Sequence, residues 1–111
     1  MNNSKLSALG IPSSFSALGH TISVLEVANL SGTGSYGDWD QNLNEIRLFT
    51  KGVCDSVIVH SYYHELVHCL LCLAGRQDLS SDEALVDVLG GLLAQVIATS
   101  SSCNDRNLFV D

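Results

Sequence analysis

The residues best suited to chemistry are two histidines and a glutamate in one short segment, His64-Glu65-Leu66-Val67-His68. On an α-helix, residues four apart lie about 6 Å apart along the axis and about 40° apart around it. The two imidazoles can therefore converge on one metal ion, and the Glu65 carboxylate can take a proton from a water bound to that ion. The alternative is a helix with two surface histidines and a solvated glutamate, because so short a motif also arises by chance.

A catalytic zinc site needs a third protein ligand, which these two histidines leave unfilled. No histidine follows His68, so a carboxylate has to complete the site. Asp82 and Glu83 are the candidates, since they open a second predicted helix after a short connection. The alternative for Glu83 is a capping box, in which its carboxylate reaches back to the amide of Ser80. Asp87 follows one turn later between two valines, where a carboxylate needs a partner if it is buried.

The string Asp82-Glu83-Ala84-Leu85-Val86-Asp87, read together with the histidine segment, resembles the motifs of the gluzincin metallopeptidases, the thermolysin-like class. The resemblance covers about residues 64–87, and the chain is also similar to small metallopeptidase-like proteins of phages and prophages. It implies that His64, His68 and Glu83 bind Zn²⁺. It also implies that Asp87 accepts a hydrogen bond from the non-ligating nitrogen of His64. The sequence departs from the class in having Asp82 where thermolysin-type sequences carry asparagine, and in its small size.

The function implied by this resemblance is hydrolysis of a peptide bond in a protein or peptide substrate, with Glu65 as the general base acting on a zinc-bound water. Two alternatives stay open: a non-catalytic, zinc-stabilised protein-binding module, and a phage structural or accessory protein. A fourth protein ligand such as Cys72 would close the metal site and favour the binding module. By analogy with zincin architecture, the strand near 44–50 lies beside the helix and holds an extended peptide.

Five further residues have less specific expectations. His60 lies too far from His68 to share one ion with both histidines of the motif, so we expect a structural or supporting role. Tyr62 and Tyr63 are expected to pack in the core. Trp39, in a glycine-rich segment, is a candidate for the rim of a cleft, as is Tyr36.

The elements that position these residues are predicted from periodicity and from capping residues. We expect an α+β, minimal zincin-like fold, in which a small antiparallel or mixed sheet packs on two helices and the first helix carries the histidines. Two strands are expected to pair antiparallel, with a turn-rich loop between them. The predicted segments are strand 20–30, loop 31–42, strand 44–50, a helix capped by Asp55 or Ser56 that runs to Ala74, and a helix over 82–98 capped by Ser80 or Ser81.

Two further segments and three glycines complete this prediction. Residues 1–19 should hold a short strand or a helical turn, and residues 107–110 a short strand. Gly75 should stop the first helix. The Gly90-Gly91 pair either weakens the second helix or lets another backbone come close.

Length, charge and hydrophobicity limit the kinds of protein that this chain can be. A chain of 111 residues suits a single domain, 1–111. Its formal charge of −7 and its five scattered basic residues disfavour nucleic acid as a partner. The longest apolar stretch, 84–98, is too short and too interrupted to span a bilayer, and no signal peptide is evident. We therefore expect a cytoplasmic protein (in the host cytoplasm if phage-encoded), whose four cysteines act as small buried hydrophobes. The oligomeric state is not predicted.

Overall fold

The fold is α+β, with helices packed on a four-stranded mixed sheet. The computed structural model describes residues 4–30 and 35–101. The predicted strand at 107–110 and Cys103 lie outside the described residues. In chain order the elements are α1 (Ser4–Ala8), β1 (Ser14–Ala17), β2 (His20–Val27), β3 (Gly37–Asp40), β4 (Glu45–Phe49), α2 (Asp55–Leu73), α3 (Gln77–Ser80) and α4 (Glu83–Thr99).

The strand order is β1-β2-β4-β3, and it corrects two of the predictions. β2 and β4 pair parallel, with Val24 opposite Ile46, and not antiparallel as expected. The reason is an additional strand, β3, inside the segment predicted as a loop. β3 runs antiparallel to β4 at the sheet edge, so the chain reverses twice between β2 and β4. The reversal before β4 is a tight turn in which the Asp40 carboxylate accepts hydrogen bonds from the amides of Asn42 and Leu43 at 2.9 and 3.2 Å.

One face of the sheet is apolar and packs on α2. Alternate residues are buried in β4 and in the middle of β2, as the period-2 pattern predicts, although Glu26 of β2 is exposed. The buried side chains from the two strands are Ile22, Val24, Ile46 and Leu48. The stripe of α2 that meets them is Ile58, Tyr62, Glu65 and Cys69. A glutamate therefore occupies a position in this stripe at which an apolar residue would be expected.

Helix α2 ends where the sequence indicates but does not begin with the expected cap. Its N-cap is Cys54, whose side chain makes no capping hydrogen bond, and not Asp55 or Ser56. At the other end Gly75 has φ +77°, a conformation that glycine adopts without strain. The amide of Gly75 donates to the carbonyl of Cys72 and that of Arg76 to Leu71, the pair of bonds that defines a Schellman motif.

Helix α4 packs against α2, and a glycine sets how close the two come. A β-carbon added at Gly90 would lie 2.9 Å from both the Cα and the amide nitrogen of His64. Gly90 therefore lets the backbone of α4 come close to that of α2, one of the two roles predicted for the Gly90-Gly91 pair. The N-cap of α4 is Asp82, whose carboxylate accepts from the Leu85 amide at 3.1 Å, and not Ser80 or Ser81. The connection before it contains α3. Within the described residues, no helix is both long and apolar enough to cross a membrane.

Candidate metal centre and catalytic cleft

Three of the predicted site residues come together between α2 and α4. Oε1 of Glu83 lies 3.3 Å from Nε2 of His64 and 3.3 Å from Nε2 of His68. The two imidazole rings lie one helical turn apart, with centroids 5.0 Å from each other. Glu83, in the first turn of α4, faces these rings and does not reach back to cap its own helix. The nitrogen and oxygen atoms lie within 4.8 Å of one another, as a group binding one ion requires.

The spacing and the chemistry of this group fit zinc. Histidine nitrogens and carboxylate oxygens bind Zn²⁺ at roughly 2.0–2.2 Å, so two ligands at the corners of a tetrahedron lie about 3.3 Å apart. The two distances to Glu83 Oε1 match that value. Among residues 4–30 and 35–101, the group has three protein members. With only these two histidines and one glutamate among the described residues, a tetrahedral ion would keep one position for water or substrate, as in catalytic zinc sites.

Each of the two imidazole rings has a hydrogen-bond partner at its Nδ1 nitrogen. Nδ1 of His64 lies 3.2 Å from Oδ1 of Asp87, the contact that the resemblance implied. Nδ1 of His68 lies 2.9 Å from the hydroxyl of Ser80, at the end of α3. Such partners fix the tautomer and orientation of a ligating histidine. Hydrogen bonds from His60 and His64 lower the pKa of the Asp87 carboxyl, although its side chain is 61% exposed.

Glu65 is buried beside this group, only 9% exposed. Its carboxylate lies under β3, where a β-carbon added at Gly37 would stand 3.2 Å from Cγ of Glu65. Burial, together with the smaller effect of the negative charges of Asp38 and Glu83, raises the pKa of Glu65 to about 7. A carboxyl group with such a pKa exchanges protons readily near neutral pH, as a general base and acid must.

A cleft of about 390 Å³ joins these groups to solvent. It runs between β3 and the facing helices, and the candidate ligands and Glu65 form one wall. The opposite wall is β3, including Trp39, which therefore lies at the cleft as expected. The indole nitrogen of Trp39 is buried and has no hydrogen-bond partner among the described residues. Tyr36 lines a neighbouring cleft.

Other sequence candidates lie away from the group. The Asp82 carboxylate is engaged as the α4 cap, so it does not replace Glu83. The Cys72 thiol donates to the side-chain carbonyl of Gln41 at 2.8 Å, and it does not join the ligand group. Tyr62 is buried and packs edge-on against Tyr63, with ring centroids 4.9 Å apart, as expected.

The cysteines follow the expectation of burial only in part. Cys69 is fully buried, and burial raises the pKa of its thiol to about 11, so it is an inert core residue. Cys54, in contrast, is exposed at the start of α2.

Two residues of the site were missed by the sequence reasoning. Ser80 had been considered only as a helix cap, and nothing in its spacing marks it as the partner of His68. Gly37 lies in the segment predicted as a loop, where a glycine normally indicates a turn. Its role is instead to let β3 approach Glu65, and only the position of β3 at the sheet edge reveals it.

Comparisons with protein families, with curated proteins and with solved structures found no match to this chain.

Proposed function

We propose that this protein is a zinc-dependent peptidase with a minimal, gluzincin-like catalytic centre. The observation that carries the proposal is the convergence of His64, His68 and Glu83 at tetrahedral spacing with a buried Glu65 beside them, all opening on one cleft. We also propose that the sheet and the histidine-bearing helix α2 are arranged as in zincins. The substrate is a protein or peptide.

His64, His68 and Glu83 would hold the ion, and Asp87 and Ser80 would keep the two imidazoles in the correct tautomer. When bound, the ion would supply Lewis acidity toward a peptide carbonyl and a water molecule at the site. Glu65 takes the proton of the attacking water as the carbon–oxygen bond forms. It then delivers that proton to the leaving nitrogen as the carbon–nitrogen bond breaks.

The substrate strand is expected at β3 and not at β4, where the sequence had suggested it. β4 has β2 on one side and β3 on the other, so both of its edges are already paired. β3 pairs with β4 alone among the described residues, and it forms a wall of the cleft. An extended peptide added to β3 would lie directly across from Glu65, with its backbone hydrogen-bonded to the strand.

A zinc-stabilised binding module is the competing function, and coordination number separates the two. A structural site is closed by a fourth protein ligand. The best candidate for that ligand, Cys72, is instead hydrogen-bonded to Gln41. Within 4–30 and 35–101 no fourth ligand joins the group, and this together with the buried carboxyl group of Glu65 favours a peptidase.

The test combines metal analysis with cleavage of an unfolded protein substrate, and mass spectrometry of the products. We expect one zinc ion per chain in the wild type, and its loss when His64→Ala and His68→Ala are combined. Glu65→Gln should retain zinc but lose activity by about 10²–10⁴-fold, because only the proton transfer is removed. Glu45→Gln serves as the control, because the Glu45 side chain on β4 is only partly exposed and lies outside the ligand group. This variant should retain both zinc and activity. Equal turnover in Glu65→Gln, or zinc retained in His68→Ala combined with His64→Ala, would refute the proposal.

A further inference from the structure

A second group of possible metal ligands lies next to the first and shares His64 with it. Nε2 of His60 lies 3.0 Å from Oδ1 of Asp87, and Nδ1 of His64 lies 3.2 Å from the same oxygen. These separations are again close to the roughly 3.3 Å expected between ligands of a tetrahedral zinc ion. The three ligand atoms lie within 4.8 Å of one another.

The second group repeats the first after a shift of one helical turn. His60, His64 and His68 recur every four residues along α2, and Glu83 and Asp87 do so along α4. Glu83 faces the later pair of histidines, and Asp87 the earlier pair. Moving one turn back along α2 and one turn forward along α4 therefore leads from one three-ligand group to the other.

The second group also opens on its own space. A cleft of about 270 Å³ adjoins it, lined by His60, His64 and Asp87 together with Tyr36, Gly37 and Ser61. The His60 side chain is 46% exposed, so a cation can reach the group from solvent without rearrangement of the helices. Water in the cleft can complete the coordination of a bound ion.

The two groups compete for one imidazole ring. A neutral histidine has a single nitrogen lone pair, and the other ring nitrogen carries the proton. The first group needs the lone pair at Nε2 of His64, with Nδ1–H donating to Asp87. The second group needs the lone pair at Nδ1, which leaves Nε2 protonated and turned toward Glu83 as a donor. The tautomer of His64 therefore selects which group can bind a cation.

We propose that His60, His64 and Asp87 form a second, lower-affinity site for a divalent cation such as Zn²⁺ or Co²⁺, whose occupation excludes the ion from the first site. The competition rests on the proposed metal centre, whereas the second site itself does not. Because both sites need the same imidazole, the ratio of their affinities fixes how the bound cation divides between them, whatever its concentration.

Binding of Zn²⁺ and Co²⁺ to purified, metal-free protein tests this, since it does not depend on catalysis. His60→Ala keeps only the first site complete, and His68→Ala keeps only the second. We expect one equivalent in the wild type and one in each variant, with His68→Ala binding more weakly. Adding His60→Ala or Asp87→Asn to His68→Ala should weaken the remaining binding by more than about tenfold. The nitrogen NMR shifts of His64 should report Nδ1–H in metal-loaded His60→Ala and Nε2–H in metal-loaded His68→Ala.

The outcomes separate the two proposals. Binding in His68→Ala that is insensitive to both added changes, or no binding in His68→Ala that retains native circular dichroism, would overturn the second site. Two equivalents bound by the wild type would overturn the competition. No binding in folded His60→Ala, combined with binding in His68→Ala, would overturn the first site and leave the second standing.

Discussion

Replacing Glu65 with glutamine should stabilise the metal-free protein while abolishing its proposed activity. Glu65 occupies the apolar stripe of α2 that packs on the sheet, and it is only 9% exposed. Burial raises the pKa of its carboxyl group from 4.5 to about 7. Ionisation of Glu65 therefore costs the folded state free energy that the unfolded state does not lose.

The size of the stability difference between Glu65→Gln and the wild type, and its dependence on pH, follow from the raised pKa of Glu65. Each unit of pKa corresponds to about 1.4 kcal/mol, so the ionised carboxylate destabilises the fold by roughly 3 kcal/mol above pH 7. The folded state binds the Glu65 proton more tightly than the unfolded state does. The stabilisation that results is fully present below pH 4.5 and is lost as the pH rises through 7. Glutamine has nearly the same shape and does not ionise. Glu65→Gln should therefore exceed the wild type by up to about 3 kcal/mol at pH 8, and by little near pH 4.5.

Urea unfolding in the presence of a chelator, at several pH values from 4.5 to 8, measures this difference. The chelator is essential, because a bound cation would favour the ionised form of Glu65. Glu45→Gln on β4 is the matched control, since its side chain is partly exposed and should change stability by less than about 0.5 kcal/mol. Equal stability of wild type and Glu65→Gln at pH 8, or a difference that does not vary with pH, would refute the claim that burial raises the pKa of Glu65.

Further changes test how the helices position the site. Gly90→Ala should destabilise the protein by about 1–3 kcal/mol, because the new methyl group would lie 2.9 Å from the backbone of His64. In the neighbouring Gly91→Ala the new methyl group would contact only the His60 ring, at 3.4 Å, so this change should be neutral or stabilising. Similar unfolding midpoints for Gly90→Ala and Gly91→Ala would contradict the close contact between α4 and the backbone of His64. Asp82→Ala should cost about 0.5–2 kcal/mol through loss of the α4 cap, and an unchanged midpoint would refute that role. Gly75→Ala should cost about 1 kcal/mol at φ +77°, measured in the same way.

The helical part of the fold could be predicted because its signals are local. Gly75 at the left-handed C-terminal position indicates the end of α2, and the two helix ranges lie within two residues of the predicted ones at each end. The buried faces of β2 and β4 also follow from alternation within each strand.

The sheet order could not be predicted, because strand pairing depends on contacts between distant segments. β3 has the sequence Gly-Asp-Trp-Asp, which is typical of a turn and carries little β propensity. Its place is fixed by pairing with β4 and by the bidentate contact of Arg47 with the Asp38 carboxylate, at 2.9 and 3.0 Å. Because this strand was not expected, its consequences were missed as well, including the parallel pairing of β2 with β4 and the contact of Gly37 with Glu65.

The candidate ligands could be proposed from sequence because helical periodicity converts spacing into direction. Four-residue spacing puts His64 and His68 on one face of α2, and the same spacing puts Glu83 and Asp87 on one face of α4. Which carboxylate meets which histidine depends on how the two helices align, and the sequence contains no direct signal for that. The second group at His60 was hidden for this reason, since His60 was judged only by its distance from His68.

The distance between α2 and α4 governs both groups of ligands at once. Glu83 and Asp87 belong to one rigid helix, and Gly90, one turn further on, brings that helix against the backbone of His64. A side chain at position 90 would push both carboxylates away from the imidazoles together, because they cannot move independently. A ligand separation of 3.3 Å leaves little room for such a shift, since roughly 1 Å of extra distance would no longer fit tetrahedral zinc. Helix packing at one glycine is therefore a condition for the proposed metal binding, although that glycine contributes no ligand.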